Sequence, residues 1–246
     1  MDSLIIKELN FGYGKSKTGY DKIVLKNINF SLNKGEFICL CGPNGSGKST
    51  LLRQIEKISN GNSIKSTAFL QQSEFCAWDT TVFNLILSGR FIWSKGNYSE
   101  KDYQVVNESA TVLGIDDLLN RSVYSLSGGE FQKVRIARTL SQETDFLLLD
   151  EPCANLDFTV QKELLTLFQS LAHEKNKGIL ISIHDINAAS RLADRIELLP
   201  PLKNNPEGGL ISGKANEIFT QENIEKTYGK GLNIFRHPVY DCPQIY

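Results

Sequence analysis

The chain has 246 residues, with 27 Lys and Arg against 28 Asp and Glu, a net charge of -1, 41% apolar residues, 19 Gly and 7 Pro. That length buries a sizeable core, and the composition excludes collagenous, disordered and disulfide-stapled classes, while the charge balance excludes a global field for nucleic acid. Five cysteines, an odd number without a CxxC pair, argue against a disulfide framework or zinc site and for a reducing compartment. The N-terminus lacks a basic start and apolar core, and no apolar run approaches the ~20 residues of a membrane helix. Neither export nor a membrane span is therefore expected.

In chain order, residues 27–33 (NINFSLN) alternate apolar and polar and predict a half-buried strand. Residues 37–41 (FICLC), between Gly35 and Gly42, predict a strand buried on both faces. Helical spacing follows over 49–58, then a strand at 68–70. From 81 to about 140 every pattern is helical. Strands at 146–149 and 179–183 alternate with helices at 160–171 and 186–193. The segment from Pro200 to Gly213 is rich in Pro, Asn and Gly and predicts a surface loop leading to a C-terminal strand and helix. Alternating strands and helices predict an α/β fold with a parallel sheet covered on both faces and an all-helical insertion.

Gly42, Pro43, Asn44, Gly45, Ser46, Gly47, Lys48, Ser49 and Thr50 satisfy GxxxxGK[ST], placed between a buried strand and a helix. Small residues let the backbone wrap a triphosphate with N–H groups turned inward; Lys48 reaches the β and γ phosphates and Ser49 offers a hydroxyl to Mg²⁺. The run 146–149 ends in Asp150 and Glu151. Asp150 suits the metal and Glu151 suits a general base for water, although a pair of acids before Pro152 also fits a helix N-cap.

Residues 126–132, LSGGEFQ, resemble the signature motif of the ATP-binding cassette (ABC) ATPases. The resemblance extends residue by residue. Tyr13 looks like the aromatic that stacks on adenine, Gln72 like the Q-loop glutamine that senses metal and γ-phosphate, with Gln71 adjacent, residues 154–157 (ANLD) like the D-loop, and His184 like the switch histidine. The implied fold is a P-loop (RecA-like) ABC ATPase core with an N-terminal β-subdomain and an inserted α-helical subdomain: one domain over 1–246, with 1–71 and 141–246 forming the core and 72–140 the helical part. The implied cofactors are ATP and Mg²⁺. The implied assembly is a head-to-tail dimer in which a second copy supplies Ser127 and Gly129 across from Lys48, Ser49 and Glu151, and Gly128 and Asp157 are further nucleotide-binding residues that the resemblance implies.

Residues 80–90, 182–196 and 227–238 resemble the iron-siderophore, haem and cobalamin importers, with zinc and manganese importers as the alternative. That likeness implies transmembrane permease partners, an indirect link to a substrate-binding protein, no nucleic acid, and a place on the cytoplasmic face of the cell membrane. A soluble ABC ATPase of repair or ribosome rescue is the rival, but no heptad run or second motif set is present. Phe75, Cys76, Ala77 and Trp78 are expected to form a surface loop that docks a permease helix. The short stretch 59–71 is expected to trim the β-subdomain.

Overall fold

The computed structural model of the chain describes residues 2–16, 19–61, 66–73, 78–154 and 156–246, with the backbone alone at 15, 16 and 19. Strands β1 (Ser3–Ser16) and β2 (Gly19–Asn33) pair antiparallel. Ile28, Phe30 and Leu32 are buried, as the alternation of 27–33 predicts. The strand nevertheless starts at Gly19, because Asn27 adopts φ 51° where the pairing register shifts, and such a bulge breaks the period of two.

Strand β3 (Phe37–Cys41) lies inside a six-stranded sheet ordered β4-β5-β6-β3-β7-β8. Its companions are β4 (Thr67–Leu70), β5 (Phe146–Asp150), β6 (Gly178–Ser182), β7 (Arg195–Leu198) and β8 (Ile211–Gly213). All pairings from β4 to β7 are parallel, and β8 adds antiparallel to β7. Ile38 and Leu40 pack with Leu51, Leu52 and Ile55 of α1 (Lys48–Asn60) and with Leu25 and Leu32 of β2. Phe37, Cys39 and Cys41 face the opposite cluster, with Leu164, Leu165 and Phe168 of the helix Phe158–His173. A strand apolar at every position is what a core on both faces demands.

The span between β4 and β5 contains no strand among its described residues, in line with the helical patterns. It holds α2 (Val82–Ser88), α3 (Phe91–Ser94), α4 (Glu100–Leu113) and α5 (Gly128–Leu140). These helices meet at Val82, Ile86, Val106, Ala110, Val134 and Ala137, all buried. Buried Arg90 donates to Asp102 Oδ1 at 2.8 Å and to the Ser141 carbonyl at 2.7 Å. Asp102 also accepts from the Ser99 backbone N–H at 2.8 Å, and these bonds, led by that one, lower its carboxyl to about 2.

Helix α6 (Phe158–His173) precedes β6, and α7 (Ile186–Leu192) precedes β7. After β8 come α8 (Ala215–Ile218), α9 (Gln221–Tyr228) and a hairpin of β9 (Ile234–Arg236) and β10 (Pro243–Ile245). The expected loop 200–213 is corrected at its end, where 211–213 form β8; three residues with one large apolar side chain carry too little period to read. The rest of that loop is tied to β2, with Gly209 N–H donating to the Lys26 carbonyl at 2.8 Å and Lys26 Nζ to that of Pro206 at 2.7 Å. Within 59–71, strand β4 joins the central sheet, and 62–65 lie outside the described residues. Cys39, Cys41, Cys153 and Cys242 are buried free thiols. Among the described residues no helix is long and apolar enough to cross a membrane.

Candidate functional site

The carboxyl ends of β3, β5 and β6 lie side by side, so the loops that follow them share one edge of the sheet. The loop after β3 runs from Gly42 to Gly47 and opens α1. Gly47 precedes the helix at φ 107°, where a Cβ would sit 3.1 Å from Leu25 Cδ2 and Val24 Cγ1. A Cβ on Gly42 would sit 2.7 Å from the Leu199 carbonyl oxygen. Glycine is required at both places, and the loop curls tightly enough for Lys48 Nζ to donate back to the Gly42 carbonyl at 2.8 Å and to that of Pro43 at 3.4 Å. Burial pushes the Lys48 ammonium below its usual range, opposed by Glu151, Cys41 and Asp150. The Ser46 hydroxyl is buried and has no partner. Ser49 and Thr50 follow in the first turn of α1.

Asp150 ends β5 and Glu151 begins the turn after it, so neither caps a helix; the N-cap of α6 is Asp157, which accepts from Val160 N–H at 3.0 Å. Asp150 is 1% exposed. Its Oδ1 accepts from Ser182 Oγ at 2.7 Å, while its Oδ2 is buried without a partner. The same Ser182 hydroxyl accepts from Glu151 N–H at 2.9 Å. Ser182 therefore pins both acids to the end of β6. Glu151 holds φ 49°, a left-handed conformation unusual for a side chain of its size. Its Oε1 lies 2.7 Å from His184 Nε2 and its Oε2 accepts from Gln72 Nε2 at 2.7 Å. A cleft of about 160 Å³ opens beside them, lined by Cys153, Gln161 and Asp185.

Of the two adjacent glutamines, Gln72 is the one whose side chain reaches Glu151. Arg135, on α5 and 5% exposed, donates to the backbone carbonyls of Gln71 and Gln72 and to Gln132 Oε1. Gln132 Nε2 in turn donates to the Pro152 carbonyl at 2.7 Å. The helical insertion is thus bonded both to the segment that carries Gln72 and to the turn that carries Glu151. Sequence reasoning passed over Ser182, Gln132 and Arg135. The signals were a hydroxyl closing an apolar strand two residues before His184, and two long polar side chains one helical turn apart on α5.

Tyr13 lies on β1, 54% exposed, with its hydroxyl 3.5 Å from Thr50 Oγ1 and its ring edge-on to Phe11. An open aromatic face thus stands over the first turn of α1. Ser127 caps α5 through a reciprocal pair with Glu130, donating its hydroxyl to Oε2 at 2.7 Å and accepting from Glu130 N–H at 3.3 Å. Gly128 and Gly129 form the first turn behind it. Among the described residues no hydrogen bond joins Ser127, Gly128, Gly129 or Asp157 to the Lys48 loop or to Glu151. Asn155 of the 154–157 motif and Phe75, Cys76 and Ala77 of the expected docking loop lie outside the described residues, and Trp78 is 69% exposed.

Residues 25–154 match the family described as ABC transporter. The chain is 33% identical over 247 residues to the hemin import ATP-binding protein HmuV of Gloeobacter violaceus, covering 90% of this chain and 88% of that one. It is 32% identical over 264 residues to the iron(3+)-hydroxamate import ATP-binding protein FhuC of Bacillus subtilis strain 168, covering 99% and 94%. Among solved structures, a dimeric ATP-binding cassette in a post-hydrolysis state with ADP and Pi bound superposes with a TM-score of 0.71 at 25% identity, covering 85% of this chain and 97% of that one.

Proposed function

Because the chain belongs to the ABC transporter family, we propose that it is the ATP-hydrolysing subunit of an importer, with iron chelates, haem or cobalamin as the cargo class. The observation that carries hydrolysis is the Glu151 carboxylate, held by Gln72 and His184 at the edge of the glycine loop that ends in Lys48. The relatives named for hemin and iron(3+)-hydroxamate import support the cargo class.

The donor set fits ATP with Mg²⁺. The tightly curled loop 42–47 offers backbone N–H groups and the start of α1 to the phosphates, and Lys48 needs only to leave two carbonyls to reach them. The unpartnered Oδ2 of Asp150, the Ser49 hydroxyl and the Gln72 side chain are hard oxygen donors of the kind Mg²⁺ takes, with phosphate oxygens completing the shell. Bound Mg²⁺ would neutralise charge on the β and γ phosphates. Glu151 accepts a proton from the water that attacks the γ-phosphorus as the bond to ADP breaks. His184 and Gln72 orient that carboxylate, and Tyr13 offers its ring to adenine.

Ser127, Gly128 and Gly129 open a 13-residue helix yet lack a base or metal ligand of their own, which supports a second copy placing them across the nucleotide. We take 72–140 as the helical subdomain and 1–71 with 141–246 as the core. Permease subunits and, through them, a substrate-binding protein would be the partners, with the chain on the cytoplasmic face of the membrane. The test is steady-state ATPase activity of the purified chain, followed by uptake of labelled ferric chelate, haem, cobalamin, zinc and manganese in cells lacking it. No turnover defeats the enzymatic reading; lost uptake of zinc or manganese alone defeats the cargo class.

A further inference from the structure

Glu197 lies on β7, opposite Leu40 of β3, and is 1% exposed. With Arg195 and Ser212 it lines a cleft of about 370 Å³ against Ile5, Lys7, Asn29 and Ser31 of the β1–β2 sheet. Its Oε1 accepts from Arg195 Nη1 and from Ser212 Oγ at 2.9 Å. Its Oε2 is buried and has no partner. The same guanidinium is shared: Nε donates to Glu36 Oε1 at 2.8 Å and Nη2 donates to the Ser31 carbonyl on β2. Two carboxylates therefore share one cation, and that cation also bonds the central sheet to the β1–β2 sheet.

The charged groups facing Glu197 are few. Arg195 comes from its own strand and Glu36 from the turn before β3; Lys7 lines the cleft from β1, β8 brings only the Ser212 hydroxyl, and β3 places apolar Leu40 alongside. An ionised carboxylate there leaves one buried oxygen without a protein donor, which is costly. Burial, with Glu36 adding to it, raises Glu197 from an ordinary 4.5 to about 7 against the pull of Arg195 and Ser212.

We propose that Glu197 is a proton-operated latch: the neutral carboxyl lets the β1–β2 sheet rest on the central sheet, and ionisation loosens that seam. Ionised Glu197 recovers its missing hydration only when the cleft opens, so charge favours the open form. The closed form holds the proton up to about pH 7 and the open, hydrated form only up to about 4.5. Opening therefore becomes easier as pH rises between those values, by up to about tenfold per pH unit, and is level outside them.

Hydrogen exchange of the β1–β2 amides, corrected for intrinsic rates, tests this in the full chain without nucleotide. Protection should fall by up to about tenfold per unit from pH 5 to 7 and then level, whereas Glu197→Gln, which carries the neutral form, should show no such slope. A flat profile in the unaltered chain, or the same slope in Glu197→Gln, overturns the latch. If that variant does not fold, the ¹³C resonance of the Glu197 carboxyl in the unaltered chain decides: a midpoint near 7 supports the latch and one below 5 overturns it. Any effect on nucleotide affinity through Tyr13 on β1 rests on the proposed adenine site. The exchange profile does not, so the two can fail separately.

Discussion

The side-chain amide of Gln72 donates to Oε2 of Glu151 at 2.7 Å, across 79 positions of sequence. Gln72 stands after β4 and Glu151 after β5, neighbouring parallel strands, so any shift in the segment that carries Gln72 is felt at the carboxylate. With Oε1 held by His184, Glu151 has both oxygens committed and a backbone in the left-handed region. A side chain held in this way suits a general base whose aim must not drift.

Glu151→Gln should therefore bind ATP and hydrolyse it about 10²- to 10⁴-fold more slowly, and should elute as a dimer in ATP and Mg²⁺ on size-exclusion chromatography. Lys48→Ala should fail at nucleotide binding, measured by equilibrium fluorescence. A monomeric Glu151→Gln under saturating ATP would count against a site shared between two copies.

Ser182→Ala removes the donor to Asp150 Oδ1 and the acceptor for Glu151 N–H. Asp150 then has both oxygens buried without a protein partner, at a cost of about 1–3 kcal/mol. The melting temperature should fall by roughly 2–10 °C. Saturating Mg²⁺ with ATP should recover part of the loss, because the metal would occupy the unmet lone pairs; no recovery would place the metal elsewhere.

Arg135→Lys keeps the buried charge but cannot reach Gln71, Gln72 and Gln132 together. ATP affinity should stay within about threefold while turnover drops about tenfold, a loss in kcat without a matching loss in binding. Equal losses in both would assign Arg135 to the fold alone.

Asp102 is lowered to about 2, first by the Ser99 backbone N–H and then by Arg90. A depressed carboxylate contributes stability that is full above its ordinary 3.8 and lost as pH falls from there towards 2. Acid unfolding followed by circular dichroism should show this leg in the unaltered chain and lack it in Asp102→Asn. The variant should also lose about 1–3 kcal/mol near neutrality, since Arg90 loses the carboxylate held by its Nε but keeps Glu143 Oε2 at 2.8 Å.

Trp78→Ala alters a side chain that is 69% exposed. The isolated chain should keep its melting temperature and ATP affinity, while co-purification with coexpressed permease subunits is lost. Retained co-purification would move the docking surface away from Trp78.

The chain by itself determined the parts that are written locally. The β3 run FICLC, the strand ends at Asp150 and before His184, and the glycines of 42–47 were legible because burial on two faces and a tight phosphate turn each demand residue types at fixed short spacing. The family likeness carried by 126–132 was legible for the same reason. Tertiary structure alone decided that Gln72 rather than Gln71 meets Glu151, that Ser182 joins two acids, and that Arg135 anchors the segment after β4. It also decided that Glu197 is buried in a seam with one oxygen unmet, where strand alternation shows only a polar residue in an apolar run. The partners of Gln72, Ser182 and Arg135 named here lie 31 to 79 positions apart, and sheet order β4-β5-β6-β3-β7-β8, which no short-range period encodes, is what sets the strand ends side by side.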